Sequence, residues 1–253
     1  MDKKQGKFRF LYFNLNKIYD DYICAQCGEA ISVKTGYQFL LMILHILNPV
    51  LGAVSYTHLC GRVAEVREEL DWLLSVEDEA CKLTDLYEAG ELPLRVTHND
   101  TKINNVLFDE ESLKPLVVID LDTVMPGLVG HDFGDAIRFA ANFVEEDSPE
   151  AEKAGLNLNI YWAFVEGFLK ETAPTLTEAE AETLGNSCFT LACELSTRFL
   201  DDYITGDKYF KIKDPKHNLT RTRCQIALAK DMRKKMDAMN AIVRDGWKRY
   251  RDQ

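Results

Sequence analysis

The chain has 253 residues, 46% apolar and 28% charged, which is the composition of an ordinary globular protein with room for one large or two small domains. Its 41 acidic against 30 basic side chains leave a net charge of -11. That excludes a general nucleic-acid binder, which needs a basic face to displace counterions from phosphate. The seven cysteines fall in no regular array and exclude a disulfide framework. With no apolar leader-like stretch among the first residues, they point to free thiols and a cytoplasmic location. Cys24 and Cys27 form a C-x-x-C, but no second pair or nearby histidine accompanies it, so it reads as a thiol pair rather than a zinc site.

In chain order, the first sixty residues differ in character from the rest. They hold aromatics, the C-x-x-C and the apolar run FLLMILHILNPVLGAV at 39–54. That run is shorter than the ~20 residues a membrane span needs. His45, Asn48 and Pro49 interrupt it, so it reads as a buried or partner-seeking helix. From Gly61 the pattern becomes regular. Val63, Val66, Leu70, Leu73 and Leu74 recur at helical spacing and predict an amphipathic helix ending near 75–80. CKLTDLYEAG predicts a short helix stopped at Gly90. LRVT (94–97) reads as a strand, HNDTKINN (98–105) as a polar loop, and VLF (106–108) with LVVID (116–120) as a hairpin. The Gly- and Asp-rich stretch after Asp120, which includes Pro126, reads as loop. Helices are then predicted from Asp135 to Phe143, over 158–171, from the Thr177–Glu180 capping box to Gly206, and from Asn218 as N-cap past Met239. The basic tail WKRYRDQ reads as a solvated helix end.

The chemistry lies in THNDTKINNVLFD and VVIDLDT. Phosphoryl transfer asks for in-line positioning, metal ions on the phosphates and a carboxylate that orients the attacking hydroxyl. Asp100 sits between two strands, where one carboxylate can be presented to a cleft. Asn105 lies five residues on, and Asp120 ends the second hairpin strand, so both could reach one metal ion. Magnesium suits such oxygen ligands. His98, Asp100 and Asn105 match the spacing of the protein-kinase loop H-R-D-x-x-x-x-N. Asp132-Phe133-Gly134 spells the protein-kinase metal motif, but the metal Asp should directly follow the hairpin, as Asp120 does. Asp132 and Asp135 therefore read as a cap and brace for the following helix, and His131 as a loop residue.

From Gly61 to about Val243 the chain resembles the C-terminal lobe of the aminoglycoside phosphotransferase and choline kinase superfamily. Within it, the segments LPLRVTHNDTKINNVLFD, VVIDLDTVMPG, DFGDAIRFAAN, RFLDDYITGDKYFKI and HNLTRTR are similar to those of bacterial N-acetylhexosamine 1-kinases. The resemblance implies an α+β, mostly helical fold: a protein-kinase-like C-terminal lobe with a small β-hairpin at the active loop. It implies ATP and Mg2+ as cofactors, and a small molecule, most readily a sugar, as acceptor. It assigns Asp100 as catalytic base and His98 as the brace of the catalytic loop. Asn105 and Asp120 become the ligands of the nucleotide's magnesium, Asp122 an outer or second-metal ligand, and Arg198 and Tyr209 sugar contacts. Aminoglycosides, choline and homoserine are the alternative acceptors. A non-catalytic, kinase-like binding module is the alternative from another class. No nucleic-acid partner and no membrane are expected.

The chain departs from that pattern at its start. The nucleotide-covering sheet lobe, with a Gly-rich loop and a phosphate-binding Lys on a strand, has no counterpart in residues 1–60. No G-x-G-x-x-G occurs there, and Lys3, Lys4, Lys7, Lys17 and Lys34 sit in no strand pattern. The expected organisation is a divergent, truncated or chimeric segment at 1–60 followed by the phosphotransferase lobe at 61–253.

Overall fold

The computed structural model describes residues 62–253 and, ahead of them, only two paired two-residue strands, β1 (Tyr22–Ile23) and β2 (Ala30–Ile31). The C-x-x-C, the apolar run at 39–54 and the five lysines named above lie outside the described residues. Among those described, no helix is long and apolar enough to cross a membrane.

The amphipathic stretch after Gly61 folds as three pieces rather than one helix: a 3-10 turn at Arg62–Val66, α1 (Arg67–Ser75) and α2 (Glu77–Ala80). Val63, Val66, Leu70 and Leu73 are buried, so the periodicity reports the core face correctly across the break. α3 (Lys82–Glu88) ends as predicted, with Gly90 at φ 80°, a left-handed conformation that favours glycine.

β3 (Arg95–Thr97) pairs antiparallel with β6 (Met125–Gly127), a strand inside the stretch read as loop. Three residues containing a proline and a glycine carry no alternation, and their partner lies some thirty residues away in sequence. Val96 pairs opposite Pro126. The predicted hairpin forms from β4 (Val106–Phe108) and β5 (Pro115–Val118). Ile119 and Asp120 fall outside β5, and Asp120 is left-handed at φ 62°.

Helices supply the rest. α4 (Val129–Ala140) begins six residues earlier than predicted. Leu128 is its N-cap and makes no side-chain cap bond, so Asp132 and Asp135 lie within the helix and do not cap it. α5 (Leu158–Thr172) is capped by Asn157, whose side chain accepts from the N–H groups of Asn159 and Ile160. α6 (Glu178–Thr205) has the full Thr177–Glu180 capping box and closes on Gly206 at φ 100°. α7 (His217–Tyr250) starts one residue before the expected cap, so Asn218 is a helix residue whose amide does other work.

α6 and α7 form the spine of the core, with Leu184, Phe189, Leu200, Leu228, Met232 and Met239 buried along them. α4 lies against α6 because Gly134 lets the chains touch: a Cβ there would come within 2.5 Å of the Ser187 carbonyl oxygen. Phe133, beside it, is fully buried, edge-on to Tyr161, Phe164 and Phe168 of α5.

The start of α6 is also tied to the strand that leads to the 98–105 loop. Glu180 caps its own helix and takes two hydrogen bonds from Arg95 of β3, at 2.9 and 2.7 Å. Burial pushes its carboxyl up, but Arg95 and the Thr177 donors win and hold it below the ordinary value. The sign follows: the stabilisation is complete above about pH 4.5, the unfolded value, and is lost as pH falls through the lower folded value. Glu180→Gln is expected to flatten that acid limb and to cost about 1–2 kcal/mol at neutral pH. Urea melts between pH 3 and 7 check both effects.

Candidate active site

The loop after β3 is built by two carboxylates of α4. Asp132 Oδ2 accepts from the backbone N–H of His98 (2.8 Å) and Oδ1 from that of Asn99 (2.7 Å). Burial lifts the Asp132 carboxyl above its ordinary value, against the pull of those two N–H donors. Asp135 Oδ2 accepts from the Thr101 N–H (2.9 Å), and the Thr101 hydroxyl donates to the Asp132 carbonyl (2.6 Å). Asn99 is left-handed at φ 62°, and its amide donates to the Thr123 carbonyl (3.0 Å), which joins this loop to the one after Asp120. Three residues flanking Asp100, His98, Asn99 and Thr101, are thus fixed without using the Asp100 side chain.

Asp100 faces Asn105 and Lys102. The Asn105 amide N–H donates to the Asp100 carbonyl (2.8 Å) and to Asp100 Oδ2 (2.9 Å). The Lys102 ammonium reaches the same oxygen at 3.0 Å. Asn105 is buried, and neither of these bonds uses its Oδ1. The His98 Nε2–H donates to the Ile119 carbonyl at 3.0 Å, while its Nδ1 is buried without a hydrogen-bond partner. The Ile119 N–H donates to the Asn105 carbonyl (2.9 Å). Ile119 is therefore clamped from both sides, and Asp120 follows directly from it. His98 thus links the 98–105 loop to the hairpin exit.

Asp120 and Asp122 crowd each other. A hydrogen bond with Asp122 and then its charge raise the Asp120 carboxyl above the ordinary value, with burial and the Asp100 charge adding to the rise and Lys102 opposing it. Among the described residues no group of three His, Cys, Asp or Glu is close enough to hold a metal. The oxygen set here is two carboxylates and one amide. That suits magnesium, which takes one or two carboxylates plus substrate phosphates rather than a full protein cage.

Arg198 and Tyr209 lie elsewhere. Arg198 is exposed on α6, 3.6 Å from Glu194 and stacked over Phe210 at 5.7 Å. Tyr209 is exposed and edge-on to the same ring. Their loop is organised by Asp202, which the sequence reading passed over. One buried carboxylate accepts from the N–H groups of Lys208, Tyr209 and Phe210 and from the Asn218 amide, all at 2.8–2.9 Å. The RFLDDY segment thus shapes the loop that carries Tyr209.

Next to the catalytic loop opens a cavity of about 1170 Å3, lined by Asn104 of that loop, Arg138 and Phe139 of α4, the segment 142–149, and Lys213, His217 and Arg221 around the start of α7. Its charges are largely matched within its own wall. Arg138 is bonded to Asp135 (2.8 Å), Glu146 and Gln225. Burial opposes the Arg138 charge, but Asp135 and Glu146 hold it fully protonated. Asp147 takes Lys213 and the His217 Nε2–H, which hold its carboxyl below the ordinary value although burial opposes them. His217 Nδ1 accepts from the Lys213 N–H (3.0 Å), which fixes the ring's tautomer. The wall residues 143–149 and Lys213 lie in none of the segments that stood out in the sequence.

Residues 50–168 match the model of the phosphotransferase enzyme family. The match supports a place in the aminoglycoside phosphotransferase and choline kinase superfamily, and at that level a phosphotransferase of small molecules. It spans the catalytic loop, the hairpin, Asp120 and all of α4. It opens ahead of the boundary drawn at residue 60 and stops within α5, short of Arg198, Tyr209 and α7.

Proposed function

We propose that this chain is an ATP- and magnesium-dependent kinase lobe that phosphorylates a hydroxyl of a small neutral sugar, with an N-acetylhexosamine at its anomeric position as first choice. The observation that carries the reading is the Asp100 carboxylate. Its Oδ2 is held by Asn105 and Lys102, and Oδ1 is left for an incoming hydroxyl, beside a cavity that the same loop helps to line. Asp100 Oδ1 orients the acceptor hydroxyl and takes its proton as the phosphoryl group is transferred. Asn105 Oδ1 and the Asp120 carboxylate would hold magnesium, with Asp122 behind them; when bound, the ion neutralises charge on the phosphates. His98, Asp132 and Asp135 keep the loop in place.

The internal pairing of the cavity wall favours a neutral acceptor over a polycation. An aminoglycoside needs carboxylates left over to meet its ammonium groups, and here Asp147 and Glu146 are already matched by Lys213, His217 and Arg138, which leaves only Glu145 and Asp214 of the wall's four. Arg198 and Tyr209 are the further sugar contacts that the resemblance suggests, and their place beside the Asp202-built loop gives them a rigid base.

The test is acceptor-dependent ADP release with N-acetylglucosamine, N-acetylgalactosamine, choline and an aminoglycoside in parallel. Turnover with a sugar is expected. Preference for choline or the aminoglycoside would overturn the neutral-sugar reading. Absence of ATP binding at millimolar concentration would overturn the kinase reading and leave a binding module.

A further inference from the structure

The cavity wall at 142–149 is a strap laid along α7. At one end, the Phe143 N–H donates to the Gly155 carbonyl (3.0 Å), and the Asn142 carbonyl oxygen of the side chain accepts from the Gly155 N–H (3.0 Å). The next residue, Leu156, is held by Asp231 of α7 (2.8 Å). In the middle, the Cys224 thiol meets the Glu145 carbonyl (3.4 Å). At the other end, Asp147 meets His217 (3.0 Å). The strap's own anchors on α7 run from Cys224, which meets the Asn142 amide and the Glu145 carbonyl, to His217, seven residues or about 10 Å of helix axis. The cavity, about 1170 Å3, exceeds the roughly 300–1,000 Å3 of a pocket for one drug-sized ligand.

Phe143 is the exposed member of that strap. It is 59% exposed and lines the cavity, while Phe133 of the neighbouring helix is fully buried. A lone exposed phenylalanine means little. This one is held in place: its backbone is clamped to Gly155, and the Lys235 ammonium sits 5.7 Å from its ring. Lys235 is itself fixed by Asp231 (2.6 Å) and the Leu156 carbonyl (2.8 Å). Gly155 lets the chain lie close to α7, since a Cβ there would come within 2.9 Å of the Asp231 carboxylate. A rigid, solvent-facing aromatic ring on a cavity wall offers a stacking surface for the C–H face of a sugar.

We propose that Phe143 forms an outer subsite of this cavity, which takes a second ring joined to the acceptor, so that the cavity prefers a two-ring neutral saccharide to the corresponding monosaccharide. The inference rests on the sugar reading above and deepens it.

Titration calorimetry on the full chain with N-acetylglucosamine and its β1,4-linked dimer tests it, because binding does not depend on turnover. The dimer is expected to bind about three- to tenfold more tightly than the monomer. Phe143→Ala should remove that advantage and leave the monomer's Kd unchanged, and Phe143→Tyr should restore it. An unaltered thermal melt of each variant shows that the fold is intact. Equal affinity for the two sugars, or a dimer affinity indifferent to Phe143→Ala, overturns the subsite and leaves the sugar reading standing. Binding of neither sugar overturns the sugar reading and the subsite together.

Discussion

Asp100→Asn is expected to lower the turnover number about 10²–10⁴-fold with KM for ATP and acceptor changed by no more than a few-fold, as measured by coupled ADP release. The split follows from the geometry. The loop around Asp100 is fixed by Asp132 and Asp135 through the backbone N–H groups of His98, Asn99 and Thr101, none of which depends on the Asp100 carboxylate. An isosteric amide therefore leaves the loop, the cavity and the Asn105 Oδ1 in place. Under the proposed function it removes only the group that would take the acceptor's proton. A fall below about tenfold would remove Asp100 from the base's role. A large rise in both KM values would mean that the substitution had moved the loop instead.

The sequence made the chemistry more legible than the architecture around it. Asp100, Asn105 and Asp120 stood out because phosphoryl transfer needs specific oxygen types at specific intervals, and the structure brings Asp100 and Asn105 into hydrogen-bond contact. The capping box at Thr177, the glycine stops at 90 and 206 and the buried face of α1 were equally plain, since each is a local code. Three features were not local. β6 is recognisable only by its partner β3, some thirty residues earlier. The start of α4 at Val129 carries no capping side chain, because the carboxylates that looked like caps are spent on a loop three decades back in the chain. Asn218 looked like an N-cap by residue type, yet its amide serves Asp202 and Asp207. The cavity strap was invisible for the same reason: Asp147, His217 and Lys213 meet only when α7 is folded against 142–149.

The second large effect belongs to Asp135. Asp135→Ala is expected to destabilise the fold by about 3–5 kcal/mol, because it strips a buried guanidinium of its main partner. The Arg138 side chain is 5% exposed and makes two bonds to Asp135, at 2.8 and 3.2 Å. Glu146 remains, but it sits at the cavity edge and meets only one guanidinium nitrogen, whereas Asp135 Oδ1 takes two N–H groups inside the helix packing. The same substitution frees the Thr101 N–H, so the stability loss comes with a disordered catalytic loop. In a chain of this size the melting midpoint should fall by roughly 6–20 °C. The companion variant separates charge from packing. Arg138→Met combined with Asp135→Ala removes both members of the pair, so the double variant should recover at least about 1 kcal/mol of the summed single losses. The exposed Lys153–Glu150 pair, with both side chains more than half exposed, should show less than about 1 kcal/mol in the same cycle. Additive losses at Asp135 and Arg138 would mean that the carboxylate acts on the loop alone. Turnover would then fall with Asp135→Ala but stay near normal with Arg138→Met. Strong coupling predicts instead that both single variants impair the loop and that activity follows stability, because one carboxylate ties the helix-buried charge to the backbone that presents Asp100.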